Sequence, residues 1–371
     1  MSYLQSKITI EEFLNNITVN SKREHFKTIL NAFNIFCNQK FNRTNQQVLD
    51  DLFDEINRTH SSEKVYVLFN HFKEWLLVDH PEIEYFLGRG KNQRRTIKAR
   101  HPNSVRLYLI IIRTIFEEIG NIEINSRLFN KRVKIPKAEE EEPEPFTPEQ
   151  MRFFLDICSN ESKLKYMFLK DTGCRVGEMV QIRKNDVDLN KYPIEIKVQA
   201  RYTKTKKARI VYVTRETSPM FKRLLSKKQD NELIFGSNEN VDISTAAEKT
   251  LFAYYRNKLA GYYPEFGEIY QSNGRHKKTI HSIRSFTATQ CAEAIDESWG
   301  HGYVGHKKYL GQYIRNQDKQ SEKFLRSENH LMIYEHVEIV DSDETVQNMQ
   351  NDMEKLKKMV QRLENSIPVT S

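Results

Sequence analysis

The sequence predicts a mainly α protein with a small β-sheet, an α+β chain in which a helical N-terminal domain precedes a mixed domain and a helical tail. Three observations predict it. Apolar residues recur at steps of three and four through the N-terminal third, while strict alternation is confined to one short segment. Glycine and proline are scarce, 13 and 10 in 371 residues, and 29% of residues are charged. An acidic, proline-punctuated run then divides the chain.

Taken in order, Thr9 before Glu11-Glu12-Phe13-Leu14 reads as a capped helix start. Phe26, Ile29, Leu30, Phe33 and Phe36 form one apolar stripe, and Val65, Leu68, Phe69, Phe72 and Leu76 form another. Leu107, Ile110, Ile111, Ile115 and Phe116 are read as a third. Such stripes are core-forming, so the region is expected to be a helical bundle. Between two of its helices lie Arg89, Lys91, Arg94, Arg95, Lys98 and Arg100 without an acid, either a solvated loop or a segment that contacts phosphates.

Prolines and self-repelling glutamates from Lys137 to Pro148 cannot form a core and are expected to stay extended. Thr147-Pro148 then opens a helix with proline at its first position. The boundaries expected are a helical domain over 1–136, a linker over 137–148, a mixed domain over 149–325 and a tail over 326–371. In the tail Val346, Met349, Met353, Leu356, Val360, Leu363 and Ile367 hold successive a and d positions, a coiled coil over about 345–367. A single amphipathic helix packed on the body is the other reading.

Composition narrows function. A net charge of +8 suits a polyanionic partner. Four dispersed cysteines argue against a disulfide framework or a zinc knuckle and fit a reducing cytosol. The N-terminus lacks an apolar signal core, and Leu107–Ile112 is too short to span a bilayer, so a cytoplasmic protein without a membrane partner is expected.

The chemistry-bearing residues follow the linker. Leu164, Met167 and Phe168 mark a helix that breaks at Thr172-Gly173, and Arg175 enters the opening turn of the next, where free backbone donors favour anions. Its fork can bond two phosphate oxygens, with Glu178 orienting it or a neighbour. Ile194, Ile196 and Val198 mark one strand and 210–214 a second, so Arg201–Arg209 is a basic hairpin. A hairpin lysine can reach a leaving oxygen as general acid: Lys204 is the first candidate, with Lys206 and Lys207 as rivals. His281 and Arg284 share a helix face behind Arg275-His-Lys277-Lys278, and His306 and Tyr313 follow.

Together, Thr172-Gly-Cys-Arg175-Val-Gly-Glu178, the hairpin lysine, His281-Ser-Ile-Arg284, Val304-Gly-His306 and Tyr313 resemble the tyrosine recombinase (phage-type integrase) family, and within it the archaeal integrases. Motifs carry the resemblance from the acidic linker to about residue 320; before that, only the layout of a core-binding domain does. The resemblance implies that Tyr313 attacks a DNA phosphodiester to form a 3′-phosphotyrosyl bond. Arg175, Arg284 and His306 then stabilise the transition state, Lys204 protonates the leaving oxygen and His281 handles the phenol proton. It also implies no metal, cofactor or ATP, double-stranded DNA as partner, a two-domain clamp and four protomers on two sites. Arg89, Lys91, Arg94, Arg95, Lys98, Arg100, Lys206, Lys207, Arg209, Lys277 and Lys278 become its expected DNA contacts.

Two departures are visible. The step from His306 to Tyr313 is shorter than the family's usual one, which keeps Tyr309, His301 and Trp299 open as participants. The heptad tail lies outside the family pattern. A type IB topoisomerase, a Xer-like resolvase and a non-catalytic DNA-binding protein of the same fold are the alternatives.

Overall fold

The computed structural model describes residues 8–86, 94–137, 144–306, 308 and 319–334, without the side chains at 20, 21, 84–86, 94 and 95. The chain forms two compact units, Met1–Glu141 and Glu142–Ser371. Each has its own hydrophobic core. No helix among the described residues is long and apolar enough to cross a membrane.

The first unit begins with α1 (Ile10–Asn16), closed by a capping box in which Thr9 Oγ1 accepts from the Glu12 N–H while Glu12 accepts from the Thr9 N–H. There follow α2 (Asn20–Phe41), α3 (Asn45–Thr59) and α4 (Glu63–Leu76), then α5 (Pro102–Glu118) and α6 (Ser126–Arg132). The stripes of α2 and α4 are buried as expected and meet in an aromatic cluster of Phe33, Phe36, Phe72, Trp75 and Phe116. The α5 stripe needs correction. Leu107 and Ile110 are 40% and 50% exposed, and the buried face is Val105, Tyr108, Leu109, Ile111, Ile112, Ile115 and Phe116. The run 107–112 is apolar on every side, so its periodicity fits two faces equally and packing chose between them.

A second difference is β-structure inside this unit. β1 (His80–Phe86) pairs antiparallel with β2 (Arg94–Ile97), matching Glu84 with Thr96 and Phe86 with Arg94. The described start of the basic segment, Arg94–Ile97, is therefore one arm of a ribbon rather than a plain loop.

In the second unit α7 (Pro148–Asp156) starts from a Thr147/Gln150 capping box with proline in its first turn. Next come α8 (Asn160–Thr172), the single turn α9 (Val176–Met179) and a three-stranded antiparallel sheet ordered β3 (Val187–Asp188), β4 (Glu195–Val198), β5 (Arg209–Tyr212). Ile196 and Val198 face the core from β4, as alternation predicts. Around the sheet lie α10 (Ser218–Ser226), α11 (Val241–Ala260), α12 (Ile280–Ala294), α13 (Glu297–Tyr303) and α14 (Gln320–Leu331).

A buried ion cluster ties the end of this unit to its middle. Lys170 Nζ, fully buried, lies 2.6 Å from Asp171 Oδ1 and 3.2 Å from Glu216 Oε2, and donates to the Leu331 carbonyl at the end of α14. Glu216 also accepts from the Ile333 and Tyr334 N–H groups, and Asp171 from Thr214. Desolvation works against the Lys170 charge, but the two carboxylates outweigh it and raise its pKa. Residues 345–367, where the coiled coil is expected, and 138–143 of the linker lie outside the described residues.

Candidate active site

The site is built where α8 stops. Gly173 caps the helix at φ +56°, and a Cβ there would come within 2.6 Å of Val304 Cγ1, so both backbone conformation and space demand glycine. The reversed chain delivers Arg175 as the residue before α9. Glu178 loops back to it, accepting from the Arg175 N–H at 3.0 Å and from Nη1 at 3.0 Å. The expected help from a helix N-terminus is thus corrected: α9 is one turn long, and Glu178 already occupies the Arg175 N–H. What Arg175 offers is its guanidinium, about one-third exposed.

Beneath it Glu178 Oε2, the oxygen that takes the Arg175 N–H, also accepts from Arg209 Nη2 at 2.7 Å. Burial works against the Glu178 carboxylate, but Arg209, Arg284 and the Arg175 N–H outweigh it and hold its pKa below the ordinary value. The expectation that Arg209 contacts DNA from the hairpin is corrected here. The residue is 5% exposed at the start of β5, its side chain against Gly305, and acts from below as the partner of Glu178.

On α12, Arg284 is 3% exposed and donates Nη1 to the Gly173 carbonyl at 2.6 Å, while Nε and Nη2 have no hydrogen-bond partner among the described residues. Two buried, unspent guanidinium donors are costly unless an acceptor arrives. Burial, then Arg209 and Arg175, push the Arg284 pKa down to about 9, which still leaves it cationic at neutral pH. His281 lies one turn earlier, partly exposed, its pKa lowered by partial burial, Arg284 and Arg175. His306 is half-buried beyond Gly305 (φ +83°), and burial followed by Arg284, His301, Arg175 and His281 pushes its pKa down to about 4. Arg175, His281, Arg284 and His306 therefore share one electrostatic neighbourhood, though they come from three separate stretches of chain.

Lys204, Lys206 and Lys207 stand exposed on the connection between β4 and β5, with Lys206 in the left-handed region at φ 54°. Lys277 and Lys278, expected on DNA, are both engaged by the unit's own groups, Lys277 at the surface and Lys278 in the interior. Lys277 pairs with Glu268 at 2.9 Å and Glu144 at 3.2 Å. Lys278 is buried over the Phe146 ring, bonded to the Pro145 carbonyl at 2.7 Å. Both clasp the end of the linker onto the unit, a pairing across more than a hundred residues that no local pattern announces. In the first unit, Lys98 is exposed and paired with Asp79 at 3.0 Å, and Arg100 is half-buried with its guanidinium over Tyr108. Arg94 and Arg95 lie on β2 with undescribed side chains, and Arg89, Lys91, Tyr309 and Tyr313 lie outside the described residues. Trp299 is buried and donates Nε1 to Ser327 at 2.9 Å, a packing link to α14. Two residues carry more of the site than their motifs conveyed, Arg209 and His301, whose ring meets that of His306.

Two guanidiniums flanked by two imidazoles held below their ordinary pKa make a cradle for one oxyanion with several oxygens, donating charge and hydrogen bonds at once. Among the described residues no group of three or more His, Cys, Asp or Glu side chains could hold a metal ion.

Residues 144–318 match the model of the phage integrase family. A curated relative, the tyrosine recombinase XerA of Saccharolobus solfataricus, is 27% identical over 149 residues, 40% of this chain and 47% of that protein. The match thus spans about half the length of that relative. Among solved structures, a XerA recombinase is 17% identical with a TM-score of 0.36, covering 88% of this chain and 98% of the other. A lambda integrase dimer bound to a COC′ core site is 12% identical with a TM-score of 0.46, covering 82% and 97%. A Tn1549 transposon integrase in complex with circular intermediate DNA is 14% identical with a TM-score of 0.41, covering 91% and 95%.

Proposed function

We propose that the chain, whose residues 144–318 match the phage integrase family, is a tyrosine recombinase, a site-specific DNA strand transferase that cuts and rejoins duplex DNA. The observation that carries the reading is Arg284, buried and cationic, with two donors unspent beside Arg175. A scissile phosphodiester supplies the missing acceptors. Charge gathers on its non-bridging oxygens as the attacking and leaving oxygens align, and donors already fixed in place stabilise that charge without reorganising.

The nucleophile is Tyr313, whose phenolate oxygen bonds to phosphorus as the 5′-oxygen departs, leaving a 3′-phosphotyrosyl link. His281 takes the phenol proton and Lys204 delivers one to the leaving oxygen. His306 donates a hydrogen bond to a phosphate oxygen. Because the covalent link conserves the phosphodiester's energy, a 5′-hydroxyl from another strand reverses the step. The partner is double-stranded DNA, and exchange between two sites calls for an assembly of protomers, in which the heptads of residues 346–367 supply self-association.

A covalent-trapping gel tests the reading. The protein is mixed with labelled, nicked duplexes chosen from DNA it binds, then denatured. A slow, protease-sensitive band is expected, lost in Tyr313→Phe with binding unchanged; a band that persists in this variant moves the nucleophile to Tyr309. Deleting residues 342–371 is expected to weaken synapsis at least tenfold more than single-site binding; sedimentation and recombination unaltered by the truncation would remove the coiled coil from the account. A Xer-type resolvase is the second reading, favoured by the identity to XerA. Plasmids with two directly repeated sites separate them: deletion without insertion between molecules selects the resolvase.

A further inference from the structure

The turn that delivers His306 also delivers a second imidazole to it. α13 ends in a pair of crossed backbone bonds, Gly305 N–H to Gly302 O at 2.9 Å and His306 N–H to His301 O at 2.9 Å, with Gly305 left-handed between them. This is the Schellman arrangement, in which the residue two past the cap is brought onto the residue three from the helix end. An apolar pair commonly meets there. Here the pair is His306 and His301: the rings lie 5.0 Å apart at 29°, and their Nδ1 atoms are 2.9 Å apart.

At that separation one Nδ1 carries a proton and the other accepts it, so the bond ties the two tautomers together. We propose that His301 is a positioning residue that donates its Nδ1–H to His306 Nδ1 and thereby keeps the His306 proton on Nε2. The inference rests on the cradle reading above, in which His306 faces the phosphate. With Nδ1 held by His301, Nε2 is the nitrogen left for the substrate. A bare Nε2 would set a lone pair against phosphate oxygens, whereas Nε2–H donates to one of them. Nor does Arg284 favour a bare Nε2, because its Nε and Nη2 make no hydrogen bond to His306. Burial, and then the cations around His306, keep the ring neutral, so the choice lies between two tautomers and His301 makes it.

Two-bond ¹H–¹⁵N correlation spectra of the full chain with ¹⁵N-labelled histidine, without DNA, read the tautomer directly. The wild type is expected to show His306 protonated on Nε2. In His301→Phe, which keeps an aromatic ring on the turn, the signals should move to a tautomer mixture. Covalent capture should fall about tenfold, with duplex binding unchanged. His301→Gln, whose amide can donate to Nδ1, should recover most of the loss. A wild-type His306 protonated on Nδ1, or a tautomer unmoved in His301→Phe, overturns the inference. Should His301→Phe fail to fold, the wild-type spectrum and His301→Gln still decide it. A His306→Ala protein that captures DNA at the wild-type rate would instead overturn the cradle reading, whatever the tautomer.

Discussion

The two units spend their charges differently. Among the described residues, His80 is the buried polar side chain of the first unit, whose core is otherwise aromatic and aliphatic apart from the Cys37 thiol. The second unit buries Lys170, Asp171, Glu178, Glu216, Arg209, Lys278 and Arg284. Ion pairs of the first unit, such as Lys64 with Glu55 and Lys98 with Asp79, lie toward solvent, where they contribute little. Buried charge costs several kcal/mol per ion unless paired, so a core that retains it does so for architecture or chemistry. The difference teaches where to look for function, and within the second unit it separates two kinds of buried cation.

Lys170 is the architectural kind. Lys170→Met leaves Asp171 and Glu216 facing each other unpaired, and the loss expected is about 3–5 kcal/mol. Phe72→Ala, in the first unit, should cost about as much by a different route, the cavity left in an aromatic cluster. The two tryptophans fall one per unit, Trp75 and Trp299, so urea unfolding followed by fluorescence in Trp75→Phe or Trp299→Phe backgrounds assigns each loss. A Lys170→Met loss below about 1 kcal/mol would break the comparison.

On the proposed function, Arg284 is the chemical kind. Arg284→Met should lower covalent capture by about 10²–10³-fold, the cost of removing a preorganised donor. The unfolding midpoint should hold or rise, since a half-satisfied buried cation has been replaced by an apolar chain of similar reach. A variant that unfolds as readily as Lys170→Met would move Arg284 into the architectural class.

The smallest expected effect is a pH dependence. His306 sits at about 4 in the folded site against an ordinary value of 6.5. Between those values the unfolded chain binds a proton that the site refuses, so stability falls as pH is lowered through this window and is unaffected above it. The midpoint reported by Trp299 should therefore drop between pH 6.5 and 4 and the drop should be smaller in His306→Phe, with His281, also held below its ordinary value, supplying part of what remains; a slope unchanged in His306→Phe assigns it elsewhere.

Much of this was legible in the chain itself. The capped starts at Thr9 and Thr147, the stripes of α2 and α4, the break at Gly173 and the hairpin around Lys204 are local, written in periods and cap residues that act within a few positions. Motif chemistry also singled out Arg175, His281, Arg284 and His306, which share one electrostatic neighbourhood in the fold. The α5 face was not legible, since an all-apolar run has no preferred side until neighbours pack on it. Nor was the fate of individual charges. Arg209, Lys277 and Lys278 look alike with Lys206 and Lys207 in sequence, yet only contacts with Glu178, Glu144 and Glu268, from nine to more than a hundred positions away, pair the first three with the protein's own carboxylates. The sequence by itself determined which residue types are present for phosphate chemistry and on which local elements they ride. The tertiary structure alone decided which cations are spent on the protein's own carboxylates and which are left for a substrate, because a charge's worth depends on its burial and its partner, and both are set by packing between distant segments.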